Sequence, residues 1–95
     1  MYTTNEKMIV NVIIDDLDFQ NRLFTHFSAD ECKDLVGSLM EVEILHRTYG
    51  FCFNQYVQKV HNMFGEIKGD ILIDLLAKMR LAKKELVISS EEKLS

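Results

Sequence analysis

The strongest constraint in this sequence is a heptad pattern of mostly apolar side chains in its central part. Ten positions follow one another at alternating steps of four and three residues, the spacing of one stripe along a single α-helix. These positions are Leu35, Leu39, Val42, His46, Tyr49, Phe53, Tyr56, Val60, Met63 and Ile67. Because the register is kept through Gly50, the pattern predicts one long helix over residues 29–64, with a kink allowed at Gly50. The alternative is a helix that ends at Tyr49, with Gly50 as a left-handed cap, followed by a second helix.

The composition supports a folded and helical domain. The 95 residues include no proline and four glycines, which leaves few signals for β-turns and hairpins. Hydrophobic residues make up 47% of the chain and charged residues 27%, as in ordinary globular proteins. We therefore predict an all-α fold, with one domain over residues 1–88 and a polar C-terminal tail over residues 89–95.

The N-terminal segment begins with a helix-start motif. Thr3 and Glu6 have the spacing of a capping box, in which each side chain accepts a hydrogen bond from the other residue's backbone amide. Apolar residues then recur at helical spacing, interrupted only by Gln20, and predict one N-terminal helix. They are Val10, Ile13, Leu17, Phe24 and Phe27. A strand over residues 7–14 is the alternative, since β-branched residues dominate there, but no partner strand is evident elsewhere in the chain.

Two further motifs place the remaining helices. Ser28 and Glu31 form a second capping box, which predicts that a new helix begins at Ala29. Gly65 and Gly69 mark a turn, and a third amphipathic helix follows it. Its apolar stripe consists of Leu72, Leu75, Met79, Ala82 and Leu86, with Asp70 as the predicted N-cap. The short connection predicts that this helix folds back antiparallel onto the long one. The predicted architecture is thus a small helical bundle built on a long helix in an antiparallel hairpin, plus an N-terminal helix.

No pattern in the chain predicts catalysis, a metal site or a cofactor. Glu43 and His46 have the spacing of an ExxH motif, but neither of the other two histidines has a carboxylate three residues before it. Cys32 and Cys52 fit no zinc or disulfide spacing, so we expect reduced thiols in a cytoplasmic protein. The first apolar run, over residues 8–14, is too short for a signal peptide or a membrane span. We therefore expect neither enzymatic activity nor membrane insertion.

The charge is acidic overall and unevenly distributed. The net charge is −4, which makes nucleic acid an improbable partner. Residues 1–45 carry a net charge of −6 and residues 46–95 a net charge of +2. We identify Asp15, Asp16 and Asp18 as candidates for contact with a basic partner surface.

A long helix in a chain this small presents more apolar surface than the chain itself can cover. We therefore predict self-association, most simply as a dimer. The candidate interface residues are Leu39, Val42, His46, Tyr49, Phe51, Phe53 and Tyr56. The predicted function is that of a small non-enzymatic interaction protein, such as an adaptor, inhibitor or regulatory subunit, that also binds another protein.

A second hypothesis belongs to a different class of function. An oligomer with pockets between its subunits could sequester a small nucleotide-like anion. His46, Arg47, Tyr49 and His61 are the side chains that would meet such a ligand.

Overall fold

The computed structural model describes residues 3–84 and Leu86, and all of its regular secondary structure is helical. The helices are α1 (Thr4–Ile13), α2 (Leu17–His26), α3 (Ala29–Lys33), α4 (Leu35–Tyr49), α5 (Phe53–Phe64) and α6 (Glu66–Leu81). The described residues contain no strand, so the all-α prediction is confirmed and the strand alternative for residues 7–14 is excluded. The predicted domain end at residue 88 and the tail over 89–95 lie outside the described residues.

Both predicted capping boxes form. Thr3 Oγ1 accepts from the Glu6 amide at 3.2 Å, and Glu6 Oε1 accepts from the Thr3 amide at 2.8 Å. The corresponding distances between Ser28 and Glu31 are 3.1 and 2.9 Å. Each box satisfies two backbone amides that a helix start would leave without partners, which fixes the first residues of α1 and α3.

The N-terminal segment forms two helices, so the prediction of one helix is wrong. The carboxylate of Asp16 caps α2 by accepting from the Phe19 amide at 2.9 Å. The side-chain amide of Gln20 donates to the carbonyl oxygens of Ile13 and Ile14, at 2.6 and 3.0 Å, where α1 ends. Polar side chains thus satisfy both sides of the break, and the chain bends although the apolar spacing continues through it.

The predicted long helix is likewise wrong, because residues 29–64 form three helices. The break after α4 lies at Gly50, whose backbone is right-handed, with φ −62° and ψ −20°. Gly50 is therefore not the left-handed cap of the alternative prediction. Its amide donates to the His46 carbonyl oxygen at 2.8 Å, and a Cβ built on Gly50 would lie 2.3 Å from that oxygen. Only glycine fits this close approach.

Helix α6 lies at the centre of the described fold. Its residues Ile71, Leu72, Leu75 and Met79 are fully buried, and the helix packs against α1, α2, α4 and α5. It begins at Glu66, four residues before the N-cap predicted from the sequence. None of the described helices is long and apolar enough to span a lipid bilayer.

The chain folds back on itself between α5 and α6. Gly65 makes this turn with φ +89°, a backbone conformation that favours glycine. A Cβ on Gly69 would lie 3.0 Å from the His61 ring and 3.2 Å from a Val60 methyl group. The missing side chain at Gly69 therefore lets the two helices approach closely.

Four ion pairs tie α6 to the helices around it. Arg22 of α2 pairs with Asp74 at 2.5 Å, and Lys78 pairs with Asp16 at 2.7 Å. The other two pairs are Lys68 with Glu31 of α3 and Arg80 with Glu43 of α4. Because most of these side chains are partly exposed, the pairs contribute little to stability and mainly fix how the helices are arranged.

Replacing Gly50 by alanine should lower the free energy of unfolding by about 1–3 kcal/mol, because the new Cβ must displace the His46 carbonyl. The matched control is Gly37→Ala inside α4, where the Cβ would meet a carboxylate oxygen of Asp34 at 2.9 Å. That side chain can rotate away, so helix propensity should raise the stability of this variant by up to about 1 kcal/mol. Chemical denaturation measures both changes. A Gly50→Ala protein as stable as the wild type would contradict the break at this position.

Candidate functional site

Three large apolar side chains are exposed in the region where α4 ends, α5 begins and α6 ends. Phe51 is 87% exposed, Leu81 86% and Phe53 63%. Phe53 and Leu81 line a groove of about 460 Å³ together with His46, Tyr56, Ile73 and Arg80. Phe51 lies in the turn that leads into Phe53. We refer to Phe51, Phe53, Leu81 and this groove as the corner surface.

The buried ring of Tyr56 forms the base of the corner surface. It packs edge-on against His46, with ring centroids 5.1 Å apart and an interplanar angle of 86°. Phe53 lies on its other side at 6.0 Å and 64°. This edge-to-face geometry is favourable for aromatic pairs. Phe53 is therefore held by one contact while most of its ring faces solvent.

The ionisable groups of the corner surface are neutral or already paired. Burial, with a further contribution from the Arg80 charge, holds the pKa of His46 below its ordinary value. Burial raises the pKa of Tyr56. Glu43, which is nearly buried, binds Arg80 and also lies 3.4 Å from the Nε atom of Arg47. The lining of the groove therefore suits apolar contact better than the binding of an anion.

The predicted interface residues occupy different environments. Leu39, Val42 and Tyr56 lie in the core of a single chain, so they offer no surface to a second one. His46 and Tyr49 are partly buried, and the Lys59 ammonium lies 5.2 Å from the Tyr49 ring centre. Of the predicted set, Phe51 and Phe53 are the most exposed.

Sequence reasoning missed Leu81 as part of this surface. Leu81 lies outside the stripe of Leu72, Leu75, Met79 and Ala82 from which the last helix was predicted. A large apolar side chain off the buried stripe is the signal that could have identified it. Its exposure also depends on α6 ending at Leu81, a boundary that local spacing does not specify.

The side chains proposed for anion binding do not converge on one groove. Of the four, His46 lines the groove of the corner surface, whereas Arg47, Tyr49 and His61 do not. His61 Nε2 donates to the Asp70 carboxylate at 2.6 Å. Arg47 is engaged with Glu43, as described above. The arrangement therefore does not favour the anion-sequestering hypothesis.

A second apolar recess lies between α1, α2, α3 and α4. This groove of about 290 Å³ is lined mainly by Ile9, Val10, Ile13, Leu23, Phe24 and Val36. Phe24 and Val10, which the sequence pattern placed on one apolar helical stripe, are exposed. Burial raises the pKa of Cys32, which also lines the recess, so its thiol stays protonated. We refer to this recess as the N-terminal groove.

The three aspartates proposed for partner contact lie near the turn between α1 and α2. Asp16 has a structural role, because it caps α2 and pairs with Lys78. The Lys78 ammonium and the Phe19 amide lower the pKa of Asp16. Asp15 and Asp18 are exposed, so of the three they remain the candidates for contact with a basic surface.

The ExxH pair Glu43 and His46 is part of the ion-pair and aromatic contacts described above. Among residues 3–84 and Leu86, no group of three or more histidine, cysteine, aspartate or glutamate side chains is arranged to hold a metal ion. Comparison of the chain with protein-family models, with curated proteins and with solved structures finds no match.

The free energy of unfolding should fall as the pH decreases from 7 to 5, because the pKa of His46 is lower in the folded chain. As the pH falls, His46 takes up a proton in the unfolded state before it does so in the folded state. The stability that this ring contributes is therefore complete above pH 6.5, its ordinary pKa, and is lost as the pH falls towards the lower pKa of the folded state. The carboxylates with lowered pKa, Glu6, Asp16 and Glu31, lose their contribution to stability mainly below about pH 5.

Denaturation curves at several pH values test this effect. His46→Gln should flatten the slope between pH 7 and 5. An unaltered slope in His46→Gln would show that burial of this ring does not cause the pH dependence.

Proposed function

We propose that this chain is a small non-enzymatic interaction protein, an adaptor, inhibitor or regulatory subunit, that self-associates and binds another protein. The corner surface carries this proposal. Phe51, Phe53 and Leu81 are each more than 60% exposed, although the described chain already has a continuous core. Burial of apolar area yields roughly 25 cal/mol per Å², so leaving such a cluster in water is unfavourable unless a partner covers it.

The chemistry of the corner surface supports binding rather than catalysis. Aromatic side chains at the centre of an interface frequently contribute most of the binding energy. The groove beside Phe53 holds a neutral His46, and its Arg80 is neutralised by Glu43. A partner would therefore bind mainly through apolar side chains, with polar groups at the edge of the contact.

The weight-average mass of the wild-type protein in solution should rise above 11.1 kDa as its concentration increases. Phe51→Ser combined with Phe53→Ser should raise the concentration needed for association by about tenfold or more, because two apolar contacts are lost. Light scattering over a concentration series measures this shift.

The matched control for this experiment is Met63→Ser combined with Ile67→Ser. These two apolar side chains are also more than half exposed, and neither lines the corner groove. The control should associate like the wild type. A wild-type protein that keeps the mass of one chain at every concentration would contradict self-association.

Binding of a second protein is tested by amine-reactive cross-linking in cells that produce this chain. Lys59 and Lys83 are exposed. Lys83 lies two residues after Leu81 of the corner surface, and the Lys59 ammonium lies over the ring of Tyr49, two residues before Phe51. We expect these lysines to form cross-links to another protein. The cross-links should be lost with Phe51→Ser/Phe53→Ser and kept in the Met63→Ser/Ile67→Ser control. Equal cross-linking in the two variants would contradict a role of the corner surface.

A further inference from the structure

The corner surface carries exposed apolar side chains, and the N-terminal groove is an apolar recess. Phe51 and Phe53 project from the corner surface, whereas Ile9 and Leu23 lie buried beneath the N-terminal groove. At about 290 Å³ this groove is at the lower end of the range for small-molecule pockets, a size that suits one or two inserted side chains. The two grooves share no lining residue, so both surfaces can be occupied at once.

The regions of the chain that carry the two surfaces also differ in charge. Helix α5 and residues 78–84 carry five basic side chains and no acidic one. Residues 3–34, which include α1, α2 and α3, carry seven acidic side chains against three basic ones, a net charge of −4. Opposite charge on two surfaces favours their encounter and fixes their orientation.

Part of this charge remains unpaired within one chain. In the part of the chain that the structure describes, Lys83 and Lys84 have no ion-pair partner. The same is true of Asp15, Asp18 and Asp34 in the N-terminal half. Basic groups near the corner surface and acidic groups on the N-terminal helices are therefore both available to another molecule.

These properties disfavour a symmetric contact of either surface with itself. A two-fold axis through the corner surface would bring basic groups of both copies together and leave the N-terminal groove empty. A two-fold axis through the N-terminal groove would leave Phe51 and Phe53 in water. Like charges facing each other across an interface oppose association.

We propose that the chain self-associates head to tail, with the corner surface of one copy inserted into the N-terminal groove of the next. This inference rests on the self-association proposed above and adds its geometry. An interface of ordinary size takes about 800 Å² from each partner, roughly an eighth of the 6356 Å² surface of the chain. One chain therefore has area for both contacts. Repetition of a head-to-tail contact gives a closed ring or an open chain of copies.

Two single substitutions, each on one surface, test this geometry. Phe53→Ser removes a projecting side chain from the corner surface, and Phe24→Ser removes a wall of the N-terminal groove. Both residues are more than half exposed, so both variants should fold, which thermal denaturation checks. Their masses are measured by light scattering separately and as an equimolar mixture, at a concentration where the wild type associates.

Each variant alone should associate about tenfold more weakly than the wild type, because each lacks one half of the contact. The mixture should form a particle of two chains and grow no further. In it, the intact corner surface of Phe24→Ser meets the intact N-terminal groove of Phe53→Ser, and the other two surfaces are both defective. Raising the salt concentration should weaken this mixed pair, since it screens the opposite charges.

The remaining outcomes overturn the inference. If Phe24→Ser associates like the wild type, the corner surface pairs with itself, and if Phe53→Ser does so, the N-terminal groove pairs with itself. If the wild type associates but the mixture does not, the head-to-tail contact is wrong while self-association stands. A wild type that stays monomeric overturns both and leaves the two surfaces to other proteins.

Discussion

The packing of four helices against α6 organises this fold. Ile71, Leu72, Leu75 and Met79 lie on one broad face of the helix, and all four are fully buried. More than one neighbour covers this face, since α1, α2, α4 and α5 all pack against α6. The close approach at Gly69 and the ion pairs along α6 then fix where these neighbours lie.

The exposed surfaces follow from this arrangement. The helices around α6 direct their apolar faces towards it, but nothing in the described chain covers the place where α4 ends, α5 begins and α6 ends. Phe51, Phe53 and Leu81 lie at this place. The N-terminal groove arises in a similar way, because the break at Asp16 separates α1 from α2 and leaves an apolar recess between them and α4.

The sequence predicted those features that depend on contacts within about four residues. The capping boxes at Thr3 and Ser28 are of this kind, and both helix starts are confirmed. The break at Asp16 was not predicted and the helix end at Tyr49 was only the alternative prediction, because apolar spacing continues through both breaks and the deciding contacts involve polar groups. Gln20 reaches back seven residues to Ile13, and Gly50 fits against the carbonyl of His46.

The same limit applies to the candidate site. The heptad pattern identified Phe53, and Phe51 lies two residues before it, a spacing at which two side chains do not share one helix face. The pattern could not separate the members that α6 covers, such as Leu39 and Val42, from those that stay in water. That separation depends on which side of α4 and α5 meets α6, a property of the tertiary arrangement. Leu81 was missed because the spacing that predicts a buried stripe contains no information on what lies outside it.

The difference in charge between the two halves of the chain acts first within the molecule. Lys68 and Lys78 of α6 pair with Glu31 and Asp16 on the N-terminal helices, so basic groups of the second half bind acidic groups of the first. Among the described residues, charged side chains without an ion-pair partner, such as Lys83 and Asp15, follow the same distribution, with the basic one in the second half of the chain and the acidic one in the first. Contact between basic side chains of α6 and acidic side chains of the N-terminal helices already stabilises one chain, and a head-to-tail contact would repeat this kind of pairing between two copies.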